Sequence, residues 1–178
     1  MVQTGVYTKT DIKGDGIYLQ AKYFDDHGNL KDTVRPDIYI DNRLQKHVLN
    51  EGDILFVAKG IKNIATVYNS NIGKAVASSS FFVIKLFPDI KQILLPDFLA
   101  WVMNNPEKQK ILKAQAKGSA LPSITIITIQ NFCLFIPPIE KQKTILNIDK
   151  LRIKEKQLTS QIQNLKEEFL LKSLIRDL

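Results

Sequence analysis

The sequence predicts an α+β protein, in which a globular domain is followed by a long C-terminal helix that forms a coiled coil. Two observations predict this fold class. Short apolar runs between glycine, proline and aspartate turn signals fill residues 1–138, which is the pattern of short strands and helices around one core. Residues 139–178 contain no glycine or proline and space their apolar side chains alternately by three and four, as in a coiled coil.

The first part of the globular domain is predicted to consist mainly of strands. Turn signals such as Gly14-Asp15-Gly16 and Glu51-Gly52-Asp53 separate runs rich in β-branched and aromatic residues. In chain order, the predicted strands cover residues 17–20, 38–40, 54–58, 64–68, 74–77 and 81–86.

The later part of the domain is predicted to begin with two helices. Pro96 opens the first, over residues 97–104, and Asn105-Pro106 introduces the second, over residues 107–115. After a loop, two further β-prone segments precede the Pro137-Pro138 pair that closes the domain. The loop covers residues 118–123 and the β-prone segments cover 124–129 and 132–136.

The C-terminal helix has an apolar seam that needs a partner. A helix of about 34 residues extends about 50 Å, further than a small domain is wide, so an unpartnered seam would stay in water. Between Ile148 and Phe169, Glu155 is the one polar residue at a seam position. The predicted dimerisation residues are Ile148, Leu151, Leu158, Ile162, Leu165 and Phe169.

Composition limits the classes of protein to consider. With 178 residues, of which 44% are hydrophobic, the chain can bury one core and carry an appendage. The net charge of +7 permits phosphate binding without proving it. Cys133 lies in an apolar run, so we expect a buried, reduced thiol. The N-terminus lacks the pattern of a signal peptide, and no apolar run reaches membrane-spanning length, so we expect a soluble, cytoplasmic protein.

The sequence shows no assembled catalytic or metal-binding group. His27 and His47 have no companion ligands at metal-binding spacing. Ser78-Ser79-Ser80 lacks the strand-turn-helix context of a nucleophile, and Gly14-x-Gly16 lacks the third glycine of a dinucleotide fingerprint. Asn104-Asn105-Pro106-Glu107 lacks the second proline and the aromatic of an adenine methyltransferase motif, and a helix N-terminus explains it better. We therefore expect a non-catalytic chain without a cofactor or metal of its own.

Three segments are more distinctive, although each has a purely structural explanation. Residues 49–60 read Leu-x-x-Gly-Asp-Ile-Leu-Phe-x-x-Lys-Gly, and the final Lys-Gly is either a hairpin end or a phosphate contact. Residues 113–119 end a helix in cations and Gly118, which indicates a helix cap or a group offered to a DNA groove. Residues 136–145 run from two prolines into the long helix, which by itself marks only a domain boundary.

In order and spacing, these segments resemble the specificity subunit of type I restriction-modification systems. The resemblance rests on the motif at 49–60, Leu-Pro-Asp-Phe-Leu at 95–99, Gly118-Ser119 before residues 124–129, and Ile-Pro-Pro-Ile-Glu-Lys-Gln at 136–142. It covers one target-recognition domain (1–138) and one spacer helix (139–178). The family normally carries two of each, so the resemblance implies half a subunit.

The resemblance implies double-stranded DNA as a partner, read in the major groove. It also implies methyltransferase (M) and restriction (R) subunits, to which S-adenosylmethionine, ATP and Mg would belong. Because this chain has one domain and one helix, we expect a homodimer through an antiparallel coiled coil, with two-fold symmetry and a palindromic, interrupted site. Glu155 would set the register or face a lysine across the pair, unless it is an ordinary exposed position.

The candidate DNA-binding residues are polar or basic side chains near strand ends and in the later loop. They are Lys59, Lys62, Asn63, Lys74, Lys113, Gln115, Lys117 and Ser119, with Arg35, Arg43 and Lys46 as possible additions. Two other classes stay open. One is the recognition subunit of a related system in which methylation and cleavage are fused in one partner, and the other is a coiled-coil interaction module that never contacts DNA.

Overall fold

A computed structural model of the chain describes residues 1–11, 14–31, 33–60, 62–116, 118 and 122–176. The chain divides into two compact units, Met1–Pro137 and Pro138–Leu178. The division falls one residue before the boundary that we placed after Pro138 in the sequence.

In the described part of the first unit, six short strands form two sheets. The strands are β1 (Val2–Thr4), β2 (Ile17–Leu19), β3 (Ile54–Val57), β4 (Ala65–Val67), β5 (Ala75–Ala77) and β6 (Phe81–Ile84). An antiparallel sheet has the order β1-β6-β3-β4, and β2 pairs with β5 in parallel. In the larger sheet, Phe56 of β3 lies between Ala65 of β4 and Phe82 of β6.

Five α-helices and two short 3-10 helices (Ala21–Tyr23 and Ser70–Ile72) complete the described part of the first unit, and one long α-helix forms the second. The α-helices are α1 (Asn42–Gln45), α2 (Pro88–Lys91), α3 (Pro96–Asn104), α4 (Pro106–Ala114), α5 (Ile126–Gln130) and α6 (Ile139–Arg176). Proline in the first turn starts α2, α3 and α4, where its missing N–H costs no helical bond. The α+β class with a long C-terminal helix is therefore confirmed.

The core of the first unit follows the alternation of the strands. Ile17 and Leu19 of β2 join one buried cluster with Phe81, while Tyr18, between them, joins a second cluster with Val76. Successive side chains of a strand point to opposite faces, so the β2–β5 pair separates the two clusters. At the edge of the larger sheet, α3 packs against β4.

The amide of Asn104 holds the end of α3 to the edge strand β4. Its Oδ1 accepts from the Ala65 N–H at 2.8 Å, and its Nδ2 donates to the Ala65 carbonyl at 2.8 Å. The Asn104 amide thus pairs with the backbone N–H and carbonyl of Ala65, as the backbone of a neighbouring strand would. Asn105 caps α4 by accepting from the Glu107 N–H at 3.0 Å, as we expected of a helix N-terminus.

Several predicted elements differ from the structure. Residues 38–40 contribute only the single bridge between Ile38 and Gly16. Most of the predicted strand 124–129 is helix α5, because the Thr125 hydroxyl caps it by accepting from the Thr128 N–H at 3.2 Å. Residues 132–136 are irregular, and Cys133 among them is exposed, so the expected buried thiol was wrong. Strand β1 was not predicted.

The second unit is the helix α6, which runs 38 residues or about 57 Å. Ion pairs one turn apart stabilise its surface, as between Asp149 and Arg152 at 2.8 Å. Among the described residues, no helix combines the length and apolar content needed to cross a membrane.

Candidate nucleic-acid interface

Residues 58–60, which follow β3, lie beside residues 122–124, which precede α5. The Gly60 N–H donates to the Pro122 carbonyl at 3.0 Å, and the Ile124 N–H donates to the Ala58 carbonyl at 2.9 Å. Between these bonds, Lys59 and Ser123 form an antiparallel bridge. The segment that contains the candidate Lys59 therefore meets residues 122–124, 64 positions later at Ser123, at one edge of the first unit. We call this edge, residues 58–60 with 122–124, the Lys59 edge.

A serine turn adjoins the Lys59 edge. The Ala58 N–H donates to the Ser80 carbonyl at 2.8 Å. The hydroxyls of Ser78 and Ser80 are 2.7 Å apart, and Ser79 and Ser80 are half-buried. The sequence favoured a solvated strand edge for these serines over a nucleophile, whereas Ser78 is buried. Their nearness to Lys59 depends on the pairing of β3 with β6, which no local pattern shows.

The conformation of Gly60 gives the Lys59 edge an open backbone. Its φ of +109° is one that residues with a side chain rarely adopt. A Cβ placed there would have no atom within 4 Å. Glycine is therefore favoured at this position by the positive φ and not by a lack of space for a side chain. A phosphate can approach this backbone while the exposed Lys59 supplies charge.

Lys62, two residues further, has an acidic partner on a neighbouring hairpin. Its ammonium forms an ion pair with Asp26, and this hydrogen bond and charge hold the pKa of Asp26 below its usual value. The hairpin is fixed to β4, because the Thr66 hydroxyl donates to the Gly28 carbonyl at 2.7 Å. A phosphate at Lys62 would compete with Asp26 for the ammonium.

Asn63 has a structural role in place of the DNA contact that we predicted. It is only 3% exposed, and its Nδ2 donates to the Val57 carbonyl at 3.0 Å. Its own carbonyl accepts from the Gln109 side chain at 2.6 Å. These bonds tie the chain after β3 to α4, and we remove Asn63 from the candidates.

The remaining candidates are spread over more than one region. Lys74 is exposed but precedes β5, about 13 Å of extended chain from Ser78, so the structure does not place it at the Lys59 edge.

Lys113 is exposed in the last turn of α4, and the exposed Gln115 is the C-terminal cap of that helix. Gly118 has a φ of +99° but lies three residues beyond that cap. Arg35, Arg43 and Lys46 are exposed, while Lys117 and Ser119 lie outside the described residues.

The predicted dimerisation residues form an exposed row on α6. All six, from Ile148 to Phe169, have between 49% and 71% of their surface accessible within the single chain. Isolated apolar side chains are common on protein surfaces, but a row of six along one helix indicates an interaction surface. Further exposed apolar side chains follow near the end of the helix: Leu170, Leu171, Leu174 and Ile175.

Among the residues that the structure describes, no group of three or more histidine, cysteine, aspartate or glutamate side chains is arranged to hold a metal ion. The geometry of the first unit instead offers basic and hydroxyl side chains beside an open backbone. These groups can donate hydrogen bonds to phosphate oxygens and base edges.

Comparisons with known proteins point to one family. The family described as "Type I restriction modification DNA specificity domain" matches residues 17–167. Among solved structures, the S subunit of a type I restriction-modification system from M. genitalium is similar, with a TM-score of 0.58 and 15% sequence identity. The similarity covers 85% of this chain but only 36% of that protein, and at this identity it shows the fold alone. The search of curated proteins found no match.

Proposed function

Because the chain belongs to the family of type I restriction-modification DNA specificity domains, we propose that it is a non-catalytic specificity subunit that binds a defined double-stranded DNA sequence as a homodimer. The family match over residues 17–167 is the observation that carries this proposal. It spans the first unit from β2 onward and most of α6. Both the first unit, which we call the reading domain, and the helix therefore have counterparts in the family.

The Lys59 edge is the part of the first unit that we propose as the DNA contact. Lys59 and Lys62 would neutralise phosphates, and the hydroxyls of Ser79, Ser80 and Ser123 would donate to phosphates or bases. The net charge of +7 favours association with the DNA polyanion. Lys113 and Gln115 would extend the contact surface along the end of α4.

The α6 seam is the proposed dimerisation surface. A second copy of α6 in antiparallel orientation would cover the seam in both chains through one two-fold contact. Each dimer would then present two reading domains related by two-fold symmetry. Such a dimer is expected to bind a palindromic site whose two halves are separated by base pairs that the protein does not recognise. The length of the overlap would fix the length of that gap.

We further propose that the chain works with methyltransferase and restriction subunits in the cytoplasm. Methylation of adenine and cleavage of DNA would be performed by those partners, together with their S-adenosylmethionine, ATP and Mg. This chain would supply the choice of sequence. The family match supports this division of labour.

Selection from random duplex DNA tests the proposed function. The purified chain is incubated with a random-sequence duplex library at physiological salt, and bound fragments are recovered and sequenced over several rounds. We expect enrichment of one interrupted palindrome. Enrichment of an uninterrupted or asymmetric sequence would refute the paired reading, and a library left unenriched would favour an interaction module that does not read DNA.

A further inference from the structure

The end of α6 carries a second apolar surface that the proposed seam leaves uncovered. Leu170, Leu171, Leu174 and Ile175 are each between 59% and 70% exposed. At 3.6 residues per turn they lie roughly 100° to 240° around the helix from Phe169, the last seam residue. A partner helix on the seam covers only one side, so these four residues, which we call the terminal apolar group, need another cover.

The segment just before α6 carries an uncovered apolar surface of its own. Phe135 is 82% exposed, the highest value among the exposed large apolar residues of the described chain, and Ile136 beside it is 37% exposed. They precede Ile139, where α6 begins, by four and three residues, or at most about 14 Å of chain.

Charges on the seam favour antiparallel over parallel pairing. Continuing the alternation of three and four beyond Phe169 places Lys172 on the seam, as Glu155 is earlier. Parallel, in-register pairing would set Glu155 against Glu155 and Lys172 against Lys172, and like charges at these positions repel. Antiparallel pairing avoids both contacts. It also places the last turns of one α6 beside the first turns of the other.

We propose that, in the homodimer, the terminal apolar group of each chain docks on Phe135 and Ile136 of the second copy. This inference rests on the proposed antiparallel dimer and adds a second contact to it. Both surfaces are apolar and exposed in the single chain, and antiparallel pairing brings them to the same end of the helix pair. Two-fold symmetry makes the contact twice, once at each end. It would hold each reading domain against the partner's helix end and so fix the distance between the two DNA half-sites.

Cysteine cross-linking tests the contact directly. Cys133 is first replaced by serine, because it is exposed and lies two residues from Phe135. Phe135→Cys and Leu174→Cys are then introduced together into one full-length chain. Within a chain the two positions are more than about 35 Å apart, given the length of α6, so any disulfide between them must join two copies. We expect a covalent dimer on a non-reducing gel after mild oxidation.

Single-cysteine chains provide the orientation control. Phe135→Cys and Leu174→Cys proteins should each stay uncross-linked alone and form a heterodimer when mixed, because antiparallel pairing brings unlike positions together. Cross-linking of each variant with itself would show parallel pairing and overturn the inference. Absence of a cross-link in a protein that still sediments as a dimer would overturn the second contact but leave the proposed dimer. A strictly monomeric protein would overturn both.

A substitution series measures what the contact contributes. Phe135→Asp should raise the dimer dissociation constant by about tenfold or more, since symmetry breaks the contact twice. Phe87→Asp is the matched control, because Phe87 is 58% exposed and is the N-cap residue before α2, where aspartate is favoured. Equal dissociation constants for the two variants would contradict the proposed docking. Thermal melting of both variants checks that the first unit is still folded.

Discussion

At the scale of single residues, Lys59 is the side chain whose place in the fold most favours a DNA contact. It is exposed, it follows a buried strand, and the open backbone of Gly60 adjoins it. Lys62 is less available, because Asp26 already pairs with its ammonium. Exposed lysines of this kind contribute to binding through phosphate charge and counterion release rather than through base recognition.

Replacing Lys59 by alanine should weaken binding to every duplex to a similar degree. If one phosphate contact is lost, the slope of log K against log salt should fall by about one. Anisotropy titrations of specific and random duplexes at several salt concentrations measure both effects. Lys150→Ala, an exposed lysine on α6, is the matched control. An unchanged affinity and salt slope for Lys59→Ala would remove this residue from the interface.

The hairpin beside Lys62 should loosen in acid. Partial burial raises the pKa of Asp25, but hydrogen bonds from Asn29 and His27 outweigh it and lower the pKa below the usual 3.8. A lowered carboxyl pKa means that the stabilisation is present above the unfolded pKa and disappears as pH falls through the folded one. NMR should show the His27 and Asn29 amides losing protection below about pH 4. Asp25→Asn should abolish that pH dependence, and the same pH profile in Asp25→Asn would contradict the assignment.

At the scale of elements, the apolar strands and the helices that begin at a proline could be predicted, whereas α5 and the irregular residues 132–136 could not. Strand β3 has a continuous apolar run between turn signals, and Pro96 starts α3 as expected. Residues 124–129 are rich in β-branched side chains, yet they form α5, because one hydroxyl cap and packing in the fold outweigh a weak β preference. Residues 132–136 are apolar but not buried. The sequence pattern alone does not distinguish such a segment from a strand.

The candidate site could be predicted only in parts. The sequence indicates Lys59, Lys62 and the 113–119 segment, but the pairing of Lys59 with Ser123 depends on the long-range bonds of Gly60 and Ile124, which no local pattern shows. Asn63 has a residue type common in DNA contacts, and only its burial shows that it supports the fold. The serine turn was missed as a binding element because its neighbour, Ala58, is 22 residues away from Ser80 in the sequence.

Removing the cap of α5 should destabilise the first unit. Thr125→Ala loses the bond to the Thr128 N–H, which costs about 1 kcal/mol at a helix N-terminus. Urea denaturation followed by circular dichroism measures the change in the free energy of unfolding. Thr159→Ala is the control, because Thr159 is exposed in the middle of α6, where alanine is tolerated. Equal stabilities for the two variants would show that the cap does not hold α5.

At the scale of the whole molecule, the exposed row on α6 is the feature that favours the proposed dimer. In that dimer, two copies would cover the apolar seam and double the DNA contacts that one copy offers. Linking two weak readers raises their joint affinity through effective concentration without new contacts.

The number of chains on one duplex tests the central claim most directly. The sequence recovered by selection is mixed with the protein, and the mass of the complex is measured in solution by sedimentation or by native mass spectrometry. We predict two chains per duplex for the natural protein and one chain per duplex, bound more weakly, for Leu158→Asp, in which a carboxylate replaces a seam residue. One chain per duplex for the natural protein, at concentrations well above its dissociation constant, would contradict paired reading of DNA.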